Sequence, residues 1–352
     1  MSELKKLFPE GHLSTADLKR DITRNTSATS EFNLLEIKSA NDWIEEAKSK
    51  PIPSPLLDCL WYEGELAILF ADTNLGKSIL AVQIADSLTN QKEIKPFSKS
   101  EKNYKVLYCD FEMSDKQFQN RYSANYQDDY FFHPNFFRAE LNLDKFLKNE
   151  GLPMEEQIAD EILSYIIGHQ VDVVIIDNLT YIVNEIEKSK NIAPIMQKLK
   201  WINKTYSTSI LILTHTPKRD LSRPLTNADI NGSKFLSNFA DSIFAIGKSA
   251  VNEMLRYLKQ IKSRNSAYIF CSDNVAIFTI EKEHNFLCFK FQKTDDEQDH
   301  LQVRSKAEMV ELDQQILDEH TKDPYLSLRK IAEKLGTNKM RVKRIIDKNP
   351  IS

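Results

Sequence analysis

The stretch Phe70-Ala-Asp-Thr-Asn-Leu-Gly-Lys-Ser-Ile-Leu80 sets a glycine, a lysine and a hydroxyl in succession, between an apolar run and an amphipathic one. A strand that turns into a helix at such a triplet gathers backbone N–H groups around an anion, as phosphate-binding loops do. In that geometry Lys77 reaches the β- and γ-phosphates of ATP and Ser78 gives its hydroxyl to Mg2+. The pattern GxxxxGK[ST] begins with glycine, and this chain has Ala71 there. Glycine is obligatory only where φ is positive or a Cβ would collide with the ligand. Alanine is the smallest residue that carries a Cβ, so binding is expected to survive. Ala71, Asp72, Thr73, Asn74, Leu75, Gly76, Lys77, Ser78 and Ile79 are the candidate nucleotide-binding residues.

A magnesium nucleotide also needs a carboxylate at a strand end. Val171-Asp-Val-Val-Ile-Ile-Asp177 offers one after branched apolar residues, the Walker B pattern, so Asp177 joins Ser78 as candidate metal ligand. A third apolar run, Val106-Leu-Tyr-Cys-Asp-Phe-Glu112-Met-Ser114, ends in carboxylates and turns into a helix that carries Arg121.

Glu112-Met-Ser at that strand end, with an arginine further along, resembles the RecA-like P-loop ATPases of the plasmid RepA and DnaB replicative-helicase class. The resemblance implies that Glu112 is the base that polarises the attacking water, with Asp110 on the same strand face as the competitor, and it adds Arg121 to the nucleotide site. Ile210-Leu-Ile-Leu-Thr-His215-Thr-Pro-Lys218 is similar to the family's strand ending in a γ-phosphate sensor, a role that falls to His215. Asn231-Gly-Ser233 to Phe239-Ala-Asp241 resembles the stretch that follows. Lys262-Ser-Arg264-Asn-Ser266 is similar to the turn that these enzymes thrust into a neighbour's nucleotide. Arg264 and Lys262 would then act in trans, and hydrolysis would require a homo-oligomer, a hexamer being one candidate. Without the resemblance, that turn is a basic hairpin tip in water and His215 a satisfied strand-end histidine.

The match spans roughly residues 56 to 292 and departs at three points: Ala71, His215 where the DnaB type has glutamine, and a short polar arm in place of an N-terminal helical domain. These departures favour the RepA-like branch.

The elements that must position these residues are legible as alternation. Apolar runs at 66–70, 106–111, 171–176 and 210–214 are separated by helical stretches at 77–89, 114–122 and 193–206. Strands buried on both faces and separated by helices predict an α/β core with a mostly parallel sheet. Runs at 242–246, 254–261, 267–271, 275–280 and 286–291 predict an antiparallel continuation. The expected organisation is a polar arm with a short helix at 39–49 (1–50), a RecA-like ATPase domain (51–292), an acidic linker (293–305) and a small all-α helix-turn-helix domain (306–352).

At 352 residues, 41% hydrophobic and 28% charged, the chain suits one large core with appendages. A net charge of -4 excludes a polycation, so any nucleic-acid contact must come from a local patch. No apolar run reaches the roughly 18–20 residues of a membrane span, and the first residues lack a signal core, which predicts a cytoplasmic protein without membrane contact. Cys59, Cys109, Cys271 and Cys288 form no CxxC pair and read as buried thiols.

The local patch lies at the end. Ser327 to Lys348 holds eight basic residues against two acidic ones, in two short helices around Leu335-Gly-Thr337. Ile331, Ala332, Leu335, Val342, Ile345 and Ile346 are its expected core, leaving Asn338, Lys339, Arg341, Lys343 and Arg344 to face duplex DNA. The alternative is a solvated basic hairpin that contacts protein. Tyr126, Tyr130, Phe131, Phe132, Phe136 and Phe137 are either a stacking platform for single-stranded bases or packing under a loop, and the scarcity of basic residues among them favours packing. The expected function is a DNA-associated, ATP-hydrolysing motor or helicase-like protein of a plasmid or mobile element, engaging single strands through its oligomer. The alternative is an ATP-switched, site-specific DNA-binding regulator or replication-initiation adaptor.

Overall fold

The computed structural model describes residues 35–142, 153–178, 192–217, 219–230, 233–303, 306–337 and 339–349. Residues 1–34 of the expected arm, Asn231 and Asn338 lie outside them. The chain divides into two units, 1–52 and 53–352. In the first, helix α1 (Ala40–Lys48) starts at Ser39, whose Oγ accepts a hydrogen bond from Asp42 N at 3.1 Å, and none of its residues is buried.

The second unit opens with a small antiparallel pair, β1 (Pro55–Leu57) and β2 (Trp61–Tyr62). There follow β3 (Leu66–Ala71), α2 (Lys77–Asn90), β4 (Val106–Asp110), α3 (Asp115–Arg121), a second small pair β5 (Ser123–Ala124) and β6 (Asp128–Asp129), β7 (Phe136–Ala139), α4 (Met154–His169), β8 (Val173–Asp177), α5 (Ile192–Tyr206) and β9 (Ser209–His215). Beyond them come α6 (Ser233–Phe239), β10 (Ser242–Lys248), β11 (Leu255–Lys262), β12 (Val275–Glu283) and β13 (Phe286–Asp295), then α7 (Lys306–Lys322), α8 (Leu328–Lys334) and α9 (Lys339–Lys348).

Among the described residues the central sheet has nine strands in the order β13-β12-β11-β10-β3-β9-β8-β4-β7. From β10 to β7 all neighbours are parallel; from β10 to β13 they are antiparallel. The mixed α/β architecture expected from the alternation is therefore present. Successive residues of a strand point to opposite faces, and β3 shows it: Ala67, Leu69 and Ala71 join one core with α2, whereas Leu66, Ile68 and Phe70 join the other with α4 and α5. All six residues of β3 are buried, which puts the loop that follows it on a rigid base.

Several expectations fail locally. Residues 267–271 form no strand, because the Gln260 side chain occupies their backbone, accepting from Ile269 N at 2.9 Å and donating to Ala267 O at 3.2 Å. The acidic stretch from Lys293 does not break away. Strand β13 continues through Asp295, and a 3-10 turn, Glu297–His300, buries Glu297 completely. Strand β7 and helix α4 were not expected at all. The aromatic cluster is divided: Tyr130, Phe132 and Phe136 pack with Phe118, Tyr122 and Phe286, the Phe132 and Phe136 rings 4.9 Å apart, while Tyr126 and Phe131 stay exposed and Phe137 packs on Tyr165. Cys59, Cys109 and Cys288 are buried and Cys271 is half-buried.

Helices α7, α8 and α9 enclose a small core of Leu312, Ile316, Ile331, Ala332, Val342 and Ile345, with Leu335 and Ile346 against it. The turn between α8 and α9 favours glycine, because Gly336 has φ +57°, in the left-handed region. No described helix is long and apolar enough to cross a membrane.

Candidate active site

Register assembles the site. Ala71 pairs with His215 across β3 and β9, and Asp110 with Asp177 across β4 and β8, so the ends of four parallel strands bring these residues to one edge of the sheet. That edge, outside the carboxyl ends of the strands, is where open α/β sheets hold ligands.

Left-handed backbone in the loop occurs at Asn74 (φ 62°) and Gly76 (φ 95°), not at Ala71. Asparagine tolerates that region and glycine adopts it freely. A Cβ at Gly76 would also meet Ile280 Cδ1 at 2.7 Å. Ala71 instead ends a strand, and its carbonyl accepts from Lys77 Nζ at 3.0 Å and from Thr216 N at 3.0 Å. Ala71→Gly is therefore expected to leave nucleotide affinity within about twofold while lowering stability by ~0.5–1 kcal/mol, the usual effect of glycine in a strand. Fluorescent-nucleotide titration and thermal melting measure the two. Of the remaining loop residues, Asp72 Oδ1 accepts from Thr73 N at 2.8 Å, Thr73 and Asn74 are exposed, and Leu75 and Ile79 are buried in the core beneath.

Lys77 is buried at the start of α2. Its Nζ donates to the carbonyls of Ala71 and Asp72 and lies 3.0 Å from His215 Nδ1. Burial pulls its ammonium below the usual value, opposed by the charges of Asp177, Glu112 and Asp72. Asp177 is 1% exposed, and Tyr108 Oη donates to its Oδ2 at 2.7 Å. Its Oδ1 makes no hydrogen bond among the described residues. Burial pushes its carboxyl up to about 6, against the opposing hydroxyls of Ser78 and Tyr108. A buried carboxylate oxygen without a partner beside a serine hydroxyl fits Mg2+, which takes one or two protein oxygens and completes its shell with phosphate and water. No group of three or more His, Cys, Asp or Glu among the described residues could hold a metal alone.

Glu112 and Asp110, adjacent candidates in sequence, have different surroundings. Asp110 Oδ1 accepts from Glu112 N and Met113 N, and its Oδ2 from Arg138 Nε at 3.0 Å, with the carboxylate fully buried. Glu112 is half-exposed and stands with Oε1 3.5 Å from His215 Nε2. The His215 ring, more than any other group, holds its carboxyl below the usual range, helped by the charge of Lys77. Asn178 joins the cluster, its Nδ2 against Glu112 Oε1 and 2.8 Å from His215 Nε2.

Arg121 does not reach the loop by any hydrogen bond among the described residues; it sits in the last turn of α3 with Nη1 buried and unpartnered. Lys262 Nζ donates to the carbonyls of Ser237 and Ala240, both at 2.7 Å, and closes the end of α6. Arg264 Nη1 donates to Asp241 Oδ1 at 3.0 Å. Lys262 and Ile68 both pair with Ile243, so Arg264, two residues on, lies about level with Leu66, at the opposite end of β3 from the loop. At ~3.3 Å per residue that is roughly 16 Å from the level of Ala71, out of reach of its own chain's Lys77. At the carboxyl end, Arg341 corrects its expectation. It turns inward, Nη2 2.7 Å from Asp313 Oδ1 and 3.1 Å from Met309 O, and ties α9 to α7. Lys339, Lys343 and Arg344 are exposed.

Sequence reasoning assigned no role to Tyr108, Arg138 or Asn178. The period of two that places Tyr108 and Asp110 on one face of β4 was available for the first, and adjacency to Asp177 for the third; the pairing of Arg138 with Asp110 depends on β7, which was not expected.

A glycine–lysine–serine loop between a buried strand and a helix, with an apposed strand-end aspartate, defines the P-loop ATPase class. The chain belongs to the AAA domain family, whose model matches residues 31–220. Among solved structures it is similar to the KaiC-like protein PH0186 of the hyperthermophilic archaeon Pyrococcus horikoshii OT3, at 14% identity and a TM-score of 0.43, over 65% of this chain and 91% of that one. No curated protein matches it.

Proposed function

We propose that the protein is a RecA-like ATPase of the RepA type that couples ATP hydrolysis to work on DNA as a cytoplasmic homo-oligomer. The observation that carries the reading is the convergence of Lys77, Ser78, Asp177, Glu112 and His215 at one edge of the sheet. Lys77 and His215 hold the γ-phosphate, Ser78 and Asp177 hold Mg2+, and Glu112 orients the attacking water. Bound Mg2+ supplies charge neutralisation on the β- and γ-phosphate oxygens. Arg264, too distant to serve its own loop, serves a neighbour's and stabilises charge that develops in the transition state. Single-stranded DNA is engaged by the oligomer. Duplex is engaged by α8 and α9, acting as a helix-turn-helix through Lys339, Lys343 and Arg344, a function supported by the exposure of these side chains on one helix.

The test is ATP turnover with and without single-stranded DNA, in wild type and Lys77→Ala. Wild type is expected to hydrolyse ATP faster with DNA, and Lys77→Ala to lose ~10²-fold or more, as when other transition-state donors are removed. Equal, negligible turnover by both proteins in both conditions overturns the motor and leaves an ATP-switched DNA-binding regulator.

A further inference from the structure

Asn178 follows Asp177 at the end of β8 and is 1% exposed. Its carboxamide stands between the candidate base and the candidate sensor: Nδ2 lies against Glu112 Oε1 and 2.8 Å from His215 Nε2. On the far side of the ring, Lys77 Nζ is 3.0 Å from Nδ1.

The donor inventory makes this arrangement informative. A neutral imidazole carries one N–H, and an ammonium has no acceptor, so a charged Lys77 facing Nδ1 leaves the ring proton on Nε2. An asparagine carboxamide presents two donors on one atom and an acceptor on the other, interchanged by a half-turn about its last bond. With its NH2 inward, Asn178 donates to the Glu112 carboxylate but meets the His215 N–H donor to donor. With its oxygen inward, it accepts from His215 and no longer restrains Glu112. Of Glu112 and His215, it can serve one at a time. Asp177, one residue earlier, takes its hydrogen bond from Tyr108 instead.

We infer that Asn178 is a positioning residue that couples the γ-phosphate sensor to the base, setting the Glu112 carboxylate according to which atom of the carboxamide His215 engages. The inference rests on the ATPase function proposed above. A residue that merely packs would slow hydrolysis equally with or without the Glu112 carboxylate; a residue that acts through Glu112 would lose its effect once that carboxylate is gone.

The experiment is single-turnover ATP hydrolysis and Mg-ATP affinity for Asn178→Ala and Asn178→Asp, each alone and combined with Glu112→Gln. The expected result is a rate about tenfold or more lower for Asn178→Ala and at least as low for Asn178→Asp, with affinity within about threefold. In the Glu112→Gln background neither substitution lowers the rate by more than about twofold, the non-additivity of groups that act as a unit. Retained affinity certifies that each variant is folded, and the Asp variant differs from asparagine by a single heavy atom. The inference is overturned by a wild-type rate in Asn178→Asp, by equal losses in both backgrounds, or by affinity falling together with rate. A wild type that does not hydrolyse ATP overturns the ATPase function itself, and this inference with it.

Discussion

Glu112→Gln is expected to lower ATP turnover by ~10²–10⁴-fold, the usual contribution of a general base, while Mg-ATP affinity stays near that of wild type. A base must be ionised, reach the water and have lone pairs to spare. Glu112 meets these demands: its carboxyl is held below the usual range by the His215 ring and it remains half-exposed. Asp110 meets the last two less well, because three donors already occupy its two oxygens and its carboxylate is fully buried. Glutamine keeps the shape and removes the charge, so phosphate release should fall and equilibrium binding of a fluorescent nucleotide should not. Turnover unchanged in Glu112→Gln would remove Glu112 from the base position.

The second large effect concerns stability. Glu297→Ala is expected to cost about 3–5 kcal/mol, the range found when one partner of a buried ion pair is removed, and to lower Tm on the order of 10 °C. Glu297 is wholly buried and Lys259 nearly so, 2.5 Å apart. Both also grip one residue of the segment after β9: Leu225 N donates to Glu297 Oε1 at 2.7 Å, and Lys259 Nζ donates to Leu225 O at 2.7 Å. Alanine at 297 strands the ammonium in the core and frees Leu225 N. Replacing the pair together, Lys259→Met with Glu297→Leu, removes both charges and should recover most of the loss. Thermal melting of the three variants checks the order; a single variant as stable as wild type would show that water reaches the pair.

What the sequence disclosed about fold and site follows from the range of the forces involved. Glycine–lysine–serine and the apolar runs of β3, β4, β8 and β9 act locally, through period and adjacency, and were readable without tertiary knowledge. Helix α4 is written in the sequence too, since Ile158, Ile162 and Ile166 recur at four-residue spacing. Strand β7 is four residues long and rich in aromatics, so its pairing with β4 leaves no periodic trace. Glu297 was hidden for another reason. Within an acidic run its charge suggests water, and only the fold brings Lys259 to it. The separate surroundings of Asp110 and Glu112 likewise depend on Arg138, which reaches Asp110 from β7. Arg341 belonged to a basic run that suggested a DNA face, and its partner Asp313 lies on another helix.

The carbonyl of Ala71, shared between Lys77 Nζ and Thr216 N, bears on how such loops are recognised. At that place the chain supplies an oxygen common to every amino acid, within a strand that any small residue can extend. At Gly76 it supplies a dihedral angle, φ 95°, at a place where a Cβ would also meet Ile280 Cδ1 at 2.7 Å, and glycine alone meets both conditions without strain. The two glycines of the motif are therefore unequal currencies of information: the first is a habit of spelling, and the second is grammar.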